Sequence, residues 1–300
     1  MSLREASAWA GLTGVATISD VALLNRLRGA ADWLGEVAGK LLGGPPGLPG
    51  ALRIVDGTMV SPPGPSGREW RLHATYDLAR QRFDALSLTD RHGAEALERS
   101  AVAPGEIRLA DRCYARPDGL SHVIGQGGDY VVRIGWKSLR LRRPDGEALD
   151  LPSFLEALPA EEGADLPVVV EHSRRRRFTP LACRLVIIPK TPEALARSEA
   201  KAKRASQRGG HRLDPRSLTA ARYVLLLTSL PAAPYSSQRI GDLYRLRWQI
   251  ELAFKRLKSL VRFDELPAKD ERLARAWLYA NLIIALLGDD LGRDLLDIPP

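Results

Sequence analysis

The stretch YRLRWQIELAFKRLK, residues 244–258, has the pattern of an amphipathic helix. At about 100° per residue, four polar side chains fall on a stripe roughly 60° wide: Tyr244, Arg247, Glu251 and Lys258. An apolar face runs beside it, formed by Leu246, Ile250, Ala253, Phe254, Leu257, Leu260 and Val261. A carboxylate flanked by two cations and a phenol suits the handling of a phosphodiester. An ordinary solvated helix with an i,i+4 ion pair has the same pattern, so the rest of the chain must decide between them.

The composition indicates a globular protein with an anionic partner. With 300 residues, 45% hydrophobic and 27% charged, the chain can form one large or two small domains. Its net charge of +8 and pI near 9.7 favour nucleic acid as the partner. The two cysteines, Cys113 and Cys183, form no CxxC, which argues against a zinc module and agrees with a reducing cytosol. No signal peptide or membrane span is visible, so we expect no membrane partner.

Residues 1–42 read as an N-terminal helical region. One short helix is predicted over 3–12, and Ser19 has the position of an N-cap for a longer helix that runs to Leu42. These helices are either part of a helix-turn-helix, and so a partial DNA-binding region, or a plain bundle. The run GGPPGLPG at 43–50 fits neither helix nor central strand, and it predicts a linker.

The pattern then changes to short strands. Strands are predicted at 52–60, 70–78, 82–89, 107–111 and 130–134, with helical segments at 94–100 and 117–125. Three antiparallel strands followed by alternating helix and strand is the order of a ribonuclease-H-like core. We therefore predict an α/β fold with a mixed sheet.

Residues 136–220 have a different character and predict a mostly β insertion. Candidate strands lie at 137–141, 166–172 and 179–189, followed by a Lys/Arg-rich helix at 192–207. The strand pattern resumes at 222–230, and Ser236 or Ser237 caps one long helix that carries Glu251. A final helix is predicted over 271–287. The catalytic core would then consist of 51–135 and 221–300.

Two strands are predicted to end on an aspartate. Asp56 follows the apolar run 52–55, and Asp111 follows 107–110. Such residues are usually turn or cap residues. If both strands are central and adjacent, however, both carboxylates lie at one end of one sheet, where a cation must relieve their repulsion. A third carboxylate from a packed helix would complete a site for Mg²⁺ or Mn²⁺ rather than zinc, and two such ions assist in-line displacement at phosphorus.

These motifs together resemble a known family. Asp56-Gly57-Thr58, then Asp111-Arg112-Cys113-Tyr114, then Tyr-x2-Arg-x3-Glu-x6-Lys at 244–258 resemble the bacterial insertion-sequence transposases with a DDE triad. The pattern is similar in particular to insertion sequence family four, a cut-and-paste family named for its Y-R-E-K motif. The resemblance covers roughly residues 50 to 285. It departs at Cys113, where relatives commonly have glycine, so that the side chain is either tolerated or crowds the site.

The resemblance implies a fold, an activity and roles for single residues. It implies a ribonuclease-H-like DNA transposase that hydrolyses the transposon ends and joins the freed 3′-hydroxyl to target DNA. Asp56, Asp111 and Glu251 would be catalytic and would bind two Mg²⁺ or Mn²⁺ ions. The stripe residues Tyr244, Arg247 and Lys258 would grip phosphates. The implied partners are double-stranded DNA, as terminal inverted repeats and target, and a second copy of the chain when DNA is bound, in the bacterial cytoplasm at the nucleoid.

Several further residues could either contact DNA or have an ordinary structural role. Relatives stack a splayed base on an aromatic residue, and here Tyr223 fills that position only after a shift of one residue; Trp136 is the alternative, or a core residue. Trp248 either packs or touches DNA. The run Arg174 to Arg177, with Arg175 and Arg176 at its centre, is either a solvated turn or a phosphate contact. The same choice applies to Lys201, Lys203 and Arg204.

Two other functions compete with an active transposase. A catalytically decayed or truncated relative would bind DNA without cutting it. Cys113 and a short N-terminal region are the features that suggest this hypothesis. A resident nuclease built on the same core is the third.

Overall fold

The computed structural model describes residues 2–42, 51–61, 69–159, 161–171, 179–210, 212–261, 266 and 270–296. The helices in these ranges are α1 (Leu3–Leu12), α2 (Asp20–Gly29), α3 (Ala31–Leu42), α4 (Pro117–Gly125), α5 (Leu151–Ala157), α6 (Pro192–Arg208), α7 (Pro215–Ala221), α8 (Ser237–Arg245), α9 (Trp248–Val261) and α10 (Glu271–Leu296). The strands are β1 (Leu52–Val60), β2 (Trp70–Asp77), β3 (Arg82–Asp90), β4 (Ile107–Ala110), β5 (Asp129–Arg133), β6 (Arg140–Arg142), β7 (Ala164–Glu171), β8 (Leu181–Pro189) and β9 (Tyr223–Thr228). None of these helices combines the length and the apolar character that crossing a bilayer requires.

All the strands named above form a single mixed sheet in the order β3-β2-β1-β4-β5-β9-β8-β7-β6. The strands β1 to β3 make an antiparallel meander, whereas β1, β4 and β5 run parallel. The prediction of a ribonuclease-H-like mixed sheet is therefore confirmed. The strands β8, β7 and β6 continue the same sheet beyond β9 and do not form a separate one.

Helices cover both faces of this sheet. On one face, α3, α8, α9 and α10 pack over a core that includes Ile54, Leu109 and Val131. On the other face, α4, α5 and α7 pack over a core that includes Val55 and Ala110. Because successive strand residues point to opposite faces, the residue after Val55 and the residue after Ala110 both face α9.

Two of the helices predicted within the first 100 residues differ in length in the structure. The predicted helix from Ser19 to Leu42 is interrupted at Ala30 and forms α2 and α3. Ser19 does cap α2, since its side chain accepts from the Ala22 amide. The predicted helix at 94–100 is only a 3-10 turn over Leu97–Arg99. Apolar spacing does not report such interruptions, because residues on either side of a short break keep the same periodicity.

The predicted long helix that carries Glu251 is also two helices. Helix α8 ends at Arg245, α9 begins at Trp248, and a turn over residues 246–247 joins them. The amides of Leu246 and Arg247 bond to carbonyls three residues earlier, as in a 3-10 turn. The break lies where Arg247 contacts a carboxylate of β1, a tertiary contact that sequence spacing cannot show.

Residues 136–220 contribute helices as well as strands. The helix α6 and the strands β7 and β8 lie close to their predicted positions, and β6 is shifted to Arg140–Arg142. The helices α5 and α7 were not predicted. Both begin with a proline in the first turn and an aspartate N-cap, Asp150 for α5 and Asp214 for α7, and this is the sequence signal that identifies them.

Two buried arginines lie inside the sheet. Arg53 is 2% exposed, and its Nη1 lies 2.8 Å from Oδ2 of Asp77, whose side chain is 3% exposed. Its Nε lies 2.7 Å from Oδ2 of Asp84, which is partly exposed. Arg108 is 1% exposed and pairs with Glu106 at 2.6 Å. Because these charges are buried, removing one partner has a large expected cost.

His73 on β2 predicts a pH dependence of stability. Burial, and then Arg99 and Arg71, lower its pKa to about 4, so the folded protein keeps the imidazole neutral. The folded pKa lies below the unfolded value of about 6.5; the contribution is therefore complete above pH ~6.5 and lost as the pH falls towards 4. We expect the loss to reach at most about 3 kcal/mol. Urea unfolding between these pH values should show a flatter pH dependence for His73→Gln than for the parent. His92→Gln, at an exposed histidine, should behave as the parent; equal flattening by both would contradict the assignment.

Candidate active site

The two aspartates lie side by side at one edge of the sheet. Strand β1 pairs in parallel with β4, and this pairing ends where Val55 is in register with Ala110, so Asp56 and Asp111 come next on the two neighbouring chain segments. Asp111 directly follows the end of β4, whereas β1 continues past Asp56 to Val60. Alternation places both on the face that α9 covers. The two strands are adjacent, as a shared metal site requires, and both carboxylates lie where their parallel pairing ends. The prediction that Asp56 ends its strand is wrong, because β1 stays paired with β2 as far as Val60.

Asp56 is held in a polar but poorly hydrated position. Its side chain is 17% exposed, and Oδ1 accepts from the Gly57 amide at 2.8 Å. Its pKa is raised to about 6, chiefly by burial and to a lesser extent by the charges of Asp111 and Glu95, while the Gly57 amide and Arg247 oppose this rise. Burial together with surplus negative charge is the environment that a bound cation would relieve.

Asp111 is positioned by the turn that follows it. Its side chain accepts from the Cys113 amide at 2.7 Å and caps the 3-10 turn Arg112–Tyr114. Cys113 is exposed, so the structure accommodates a side chain where relatives commonly have glycine. Partial burial, and then Asp111 and Glu95, raise the pKa of its thiol to about 11, which keeps it protonated at neutral pH. Cys113 is therefore not an activated nucleophile.

Arg247 joins the sheet edge to α9. Its Nη1 lies 3.0 Å from Oδ2 of Asp56, and its Nη2 lies 2.5 Å from Oε1 of Glu251. The Glu251 side chain is 52% exposed, and that of Arg247 is 20% exposed. One guanidinium thus connects a carboxylate of β1 with a carboxylate of α9, and brings the third acidic residue to the edge that carries the first two.

The other stripe residues lie before and after this bridge along the chain. Tyr244, at the end of α8, is half-buried; burial raises its pKa, and the neighbouring charges of Arg247 and Arg133 oppose that shift. Lys258 is half-buried and lies two turns after Glu251 on α9. Trp248, at the start of α9, is 51% exposed. These side chains keep the neighbourhood that sequence spacing indicated, although they lie on two helices.

Two charged residues near these carboxylates were not identified from the sequence. Arg133 ends β5, which pairs with β4 so that Ala110 is opposite Val132; Arg133 therefore follows beside Asp111. A cation that interrupts a buried apolar strand was the available signal. Glu95 is close enough to Asp56 and Cys113 to raise the pKa of both. Its Oε1 lies 3.1 Å from the position that a Cβ would occupy if Gly57 were replaced by alanine. Nothing in the sequence pattern singles out Glu95.

The structure does not bring the predicted aromatic stacker to the site. Tyr223 is 2% exposed, and its hydroxyl donates to the carbonyls of Leu158 and Pro159. Tyr223 lies in the core on the opposite face of the sheet. The prediction that it stacks on a DNA base is therefore corrected, because strand alternation points its side chain away from the carboxylates. Trp136 is half-buried and bonds to Ser217 at 3.3 Å, as a packing residue. Arg175 and Arg176 lie outside the described residues.

The donor set suits a hard divalent cation. Asp56, Asp111 and Glu251 offer carboxylate oxygens only, the ligands preferred by Mg²⁺ and Mn²⁺. As the side chains stand, no group of three or more His, Cys, Asp or Glu within the described ranges lies close enough to hold a metal ion. The single positive charge of Arg247 is instead shared between Asp56 and Glu251. The three carboxylates are chemically suited to a divalent cation. To bind one together, Asp56 and Glu251 must first exchange their contacts with Arg247 for contacts with the metal.

Comparison with known proteins decides the family. Residues 48–287 match the family described as the transposase DDE domain. The chain belongs to the DDE transposase family. As the resemblance predicted, this transposase is an enzyme that acts on DNA, and divalent metal dependence is general in its family.

Relatives of the transposase extend this match over its whole length. It is 44% identical over 307 residues to InsL of insertion sequence element IS186A from Escherichia coli strain K12, an alignment that covers 100% of the chain and 83% of the relative. It is also 44% identical over 306 residues to the transposase of IS421 from Escherichia coli, covering 100% of the chain and 82% of the relative. The transposase of IS1151 from Clostridium perfringens is more distant, at 24% identity over 206 residues, 62% of the chain and 42% of the relative. The prediction of a bacterial insertion-sequence transposase is confirmed.

Proposed function

We propose that the chain cuts the ends of an insertion sequence and joins them to target DNA, with Asp56, Asp111 and Glu251 as ligands of two Mg²⁺ or Mn²⁺ ions. The observation that carries this proposal is the bridge of Arg247 between Asp56 and Glu251, at the sheet edge where Asp111 also ends its strand. It brings together three acidic residues that are far apart in the sequence. Bound divalent cations would supply the Lewis acidity that activates the attacking oxygen and stabilises the leaving oxygen.

The cations around the edge would hold the DNA backbone. Arg247 presents a planar fork that suits two phosphate oxygens, Lys258 contributes a point charge, and Tyr244 donates one hydrogen bond. Arg133 adds a further cation beside Asp111. When a phosphate takes the guanidinium of Arg247, Asp56 and Glu251 are released to act as ligands. Trp248, whose indole is exposed, would contact a base or sugar beside this point.

The chemistry consists of two displacements at phosphorus. In the first, water attacks the phosphorus at the transposon end and the bond from phosphorus to the 3′ oxygen breaks. One proton of the water ends on the 3′ oxygen, and the other is released from the new 5′-phosphate. In the second, that 3′-hydroxyl attacks a phosphodiester, displaces its 3′ oxygen and passes its proton to it. The carboxylates stay unchanged through both steps.

The partners follow from this reaction and from the family. The substrates would be duplexes with the terminal inverted repeats of the element, and target DNA. A dimer of the chain would hold two ends together, in the cytoplasm of a bacterium at its nucleoid. Arg175 and Arg176 would add phosphate contacts, a proposal that rests on their charge alone.

Removal of metal provides the test of this function. We expect the purified chain to nick duplex DNA that carries the terminal inverted repeats in Mg²⁺ or Mn²⁺, because all three proposed ligands are carboxylates. EDTA should abolish nicking, and added Mg²⁺ should restore it, as measured by denaturing electrophoresis of end-labelled strands. A chain that binds this DNA but never cuts it would instead support the decayed DNA-binding relative.

A further inference from the structure

We propose that the exposed face of α6 is a second DNA-binding surface, which holds the phosphate backbone of the duplex beyond the carboxylate edge. Four cations recur along this helix at spacings of four, three and four residues: Arg197, Lys201, Arg204 and Arg208. At about 100° per residue they lie on a stripe roughly 60° wide. All four are exposed. We call these four residues the α6 stripe.

The opposite side of the helix faces the protein. Ser206 is buried and Leu195 and Ala202 are half-buried, and all three lie across the helix from the α6 stripe. Helix α6 packs against α7, which in turn packs on β9. The α6 stripe therefore points directly to solvent, on a helix fixed to the sheet.

The α6 stripe has repulsion within it that the protein relieves only at its first residue, Arg197, whose charge interacts with that of Glu193 at i−4. Arg197 and Lys201, and Arg204 and Arg208, are like charges at i,i+4, each pair unfavourable by roughly 0.2–0.5 kcal/mol. None of the four makes an ion pair with a carboxylate in the part of the chain that the structure describes. Glu193 lies one turn before Arg197, and Glu199 lies on the opposite side of the helix. An ordinary solvated helix would alternate its charges along such a face, whereas a largely unrelieved row of cations favours a polyanionic partner.

The position of α6 connects it to the candidate active site. Strand β8 runs antiparallel to β9, which runs antiparallel to β5, so β8 ends at the same edge of the sheet as β4 and β5. Helix α6 begins three residues after β8 ends. Three strand spacings separate β4 from β8, which is about 14 Å.

A half-buried lysine, Lys190, holds the start of α6 at this end of the strands. Nζ of Lys190 donates to Oγ of Ser198 on α6 at 2.9 Å and to the Ala221 carbonyl at 2.7 Å. The charge of Arg133, which ends β5 beside Asp111, acts on Lys190. Lys190 thus connects Arg133 with α6. Because α7 covers the face of the sheet opposite to Asp56 and Asp111, a duplex that contacts both regions would have to pass across the ends of the strands.

The dimensions of the α6 stripe suit duplex DNA. From Arg197 to Arg208 the helix rises about 16 Å, the length of roughly five base pairs. Arginine and lysine side chains that contact only phosphates do so whatever the DNA sequence is. The inference rests on the proposed function, since that function is what places a duplex at the carboxylate edge.

Salt-dependent binding distinguishes this surface from a general effect of charge. The test variant is Lys201→Gln/Arg204→Gln; glutamine preserves helix propensity. The matched control is Arg140→Gln/Arg143→Gln, which removes two exposed cations at β6, the outermost strand on that side. Binding of labelled duplex is measured by fluorescence anisotropy over a salt series in EDTA, so that no strand is cut. Circular dichroism and the thermal midpoint establish that each variant is folded.

We expect the slope of log K against log salt to become shallower by about 1.8 for the α6 double variant, at about 0.9 for each lost phosphate contact. The control should keep the parent slope. Removing all four charges of the α6 stripe should reduce the slope by up to about 3.6. The effect should be equal on terminal-repeat DNA and on a random duplex of the same length.

Three results would overturn the inference. Equal slopes for the α6 variant and the control would mean that only net charge matters. A loss confined to terminal-repeat DNA would mean that α6 reads bases rather than phosphates. A parent chain that binds and cuts DNA while all α6 variants bind as it does would reject this surface and leave the proposed function intact, whereas a parent that neither binds nor cuts would reject both.

Discussion

Glu251→Gln is expected to abolish strand cleavage and leave DNA binding in place. The amide keeps the size of the side chain but loses the negative charge that a divalent cation requires. We expect the rate of nicking to fall on the order of 1,000-fold or more, about 4 kcal/mol of activation free energy. Removing an acid from a DNA-facing edge does not weaken attraction to phosphates, so the dissociation constant should stay near that of the parent. Single-turnover nicking and anisotropy measure the two quantities separately.

The control for this substitution is Glu156→Gln. Glu156 is exposed on α5, on the other face of the sheet, and the change in charge is the same. It should cut at the parental rate. If Glu251→Gln cuts as well as Glu156→Gln, Glu251 is not a metal ligand and the proposed site is wrong.

Asp77→Asn is expected to destabilise the fold more than any surface substitution. The change leaves the guanidinium of Arg53 buried, with the partly exposed Asp84 as its remaining carboxylate partner among those described. Removing one partner of a buried ion pair typically costs about 3–5 kcal/mol, and because Asp84 still compensates part of the charge we expect a loss of about 3 kcal/mol. The asparagine Oδ1 can still accept from the Arg80 amide, as Asp77 does at 3.0 Å, so the turn itself is retained. The expected loss is seen as a lower midpoint in urea unfolding with an unchanged slope.

Asp242→Asn is the matched control for that loss. Asp242 also pairs with an arginine, Arg245, at 2.7 Å, but the two side chains are 47% and 71% exposed. Exposed pairs contribute between zero and about 1 kcal/mol. A similar loss from both substitutions would show that burial of the Arg53 pair has no special weight. Replacing Arg53 and Asp77 together by apolar residues should recover much of the stability.

The strands and their order could be predicted because each carries its own local signal. Runs such as 52–60 and 107–110 are apolar, short and bounded by turn residues, and their succession allows few topologies. The breaks between α2 and α3 and between α8 and α9 could not be predicted in this way. In the second case the turn places Arg247 against Asp56, a residue of β1 that is distant in sequence, and periodicity contains no information on such a contact.

The acidic residues of the site could be proposed from spacing, whereas their partners could not. Asp56 and Asp111 each follow an apolar run, and Glu251 lies in a distinctive helix. Arg133 and Glu95 are recognisable only once the register of β4 and β5 and the fold of the 94–100 segment are known. Tyr223 shows the reverse case: a one-residue shift along β9 changes the face of the sheet, and sequence alone did not fix that register.

The continuity of the sheet across β9 restricts how this chain can vary. Strand β9 lies between β5, which belongs to the catalytic core, and β8, which belongs to the intervening segment. Deleting residues 136–220 would leave β9 as an open edge, with the unpaired amides and carbonyls of an apolar strand available to other chains. Such a shortened protein would aggregate rather than fold as a smaller enzyme. We therefore expect insertions and deletions in this segment to be tolerated only in its helices and turns, because β8 must remain to pair with β9.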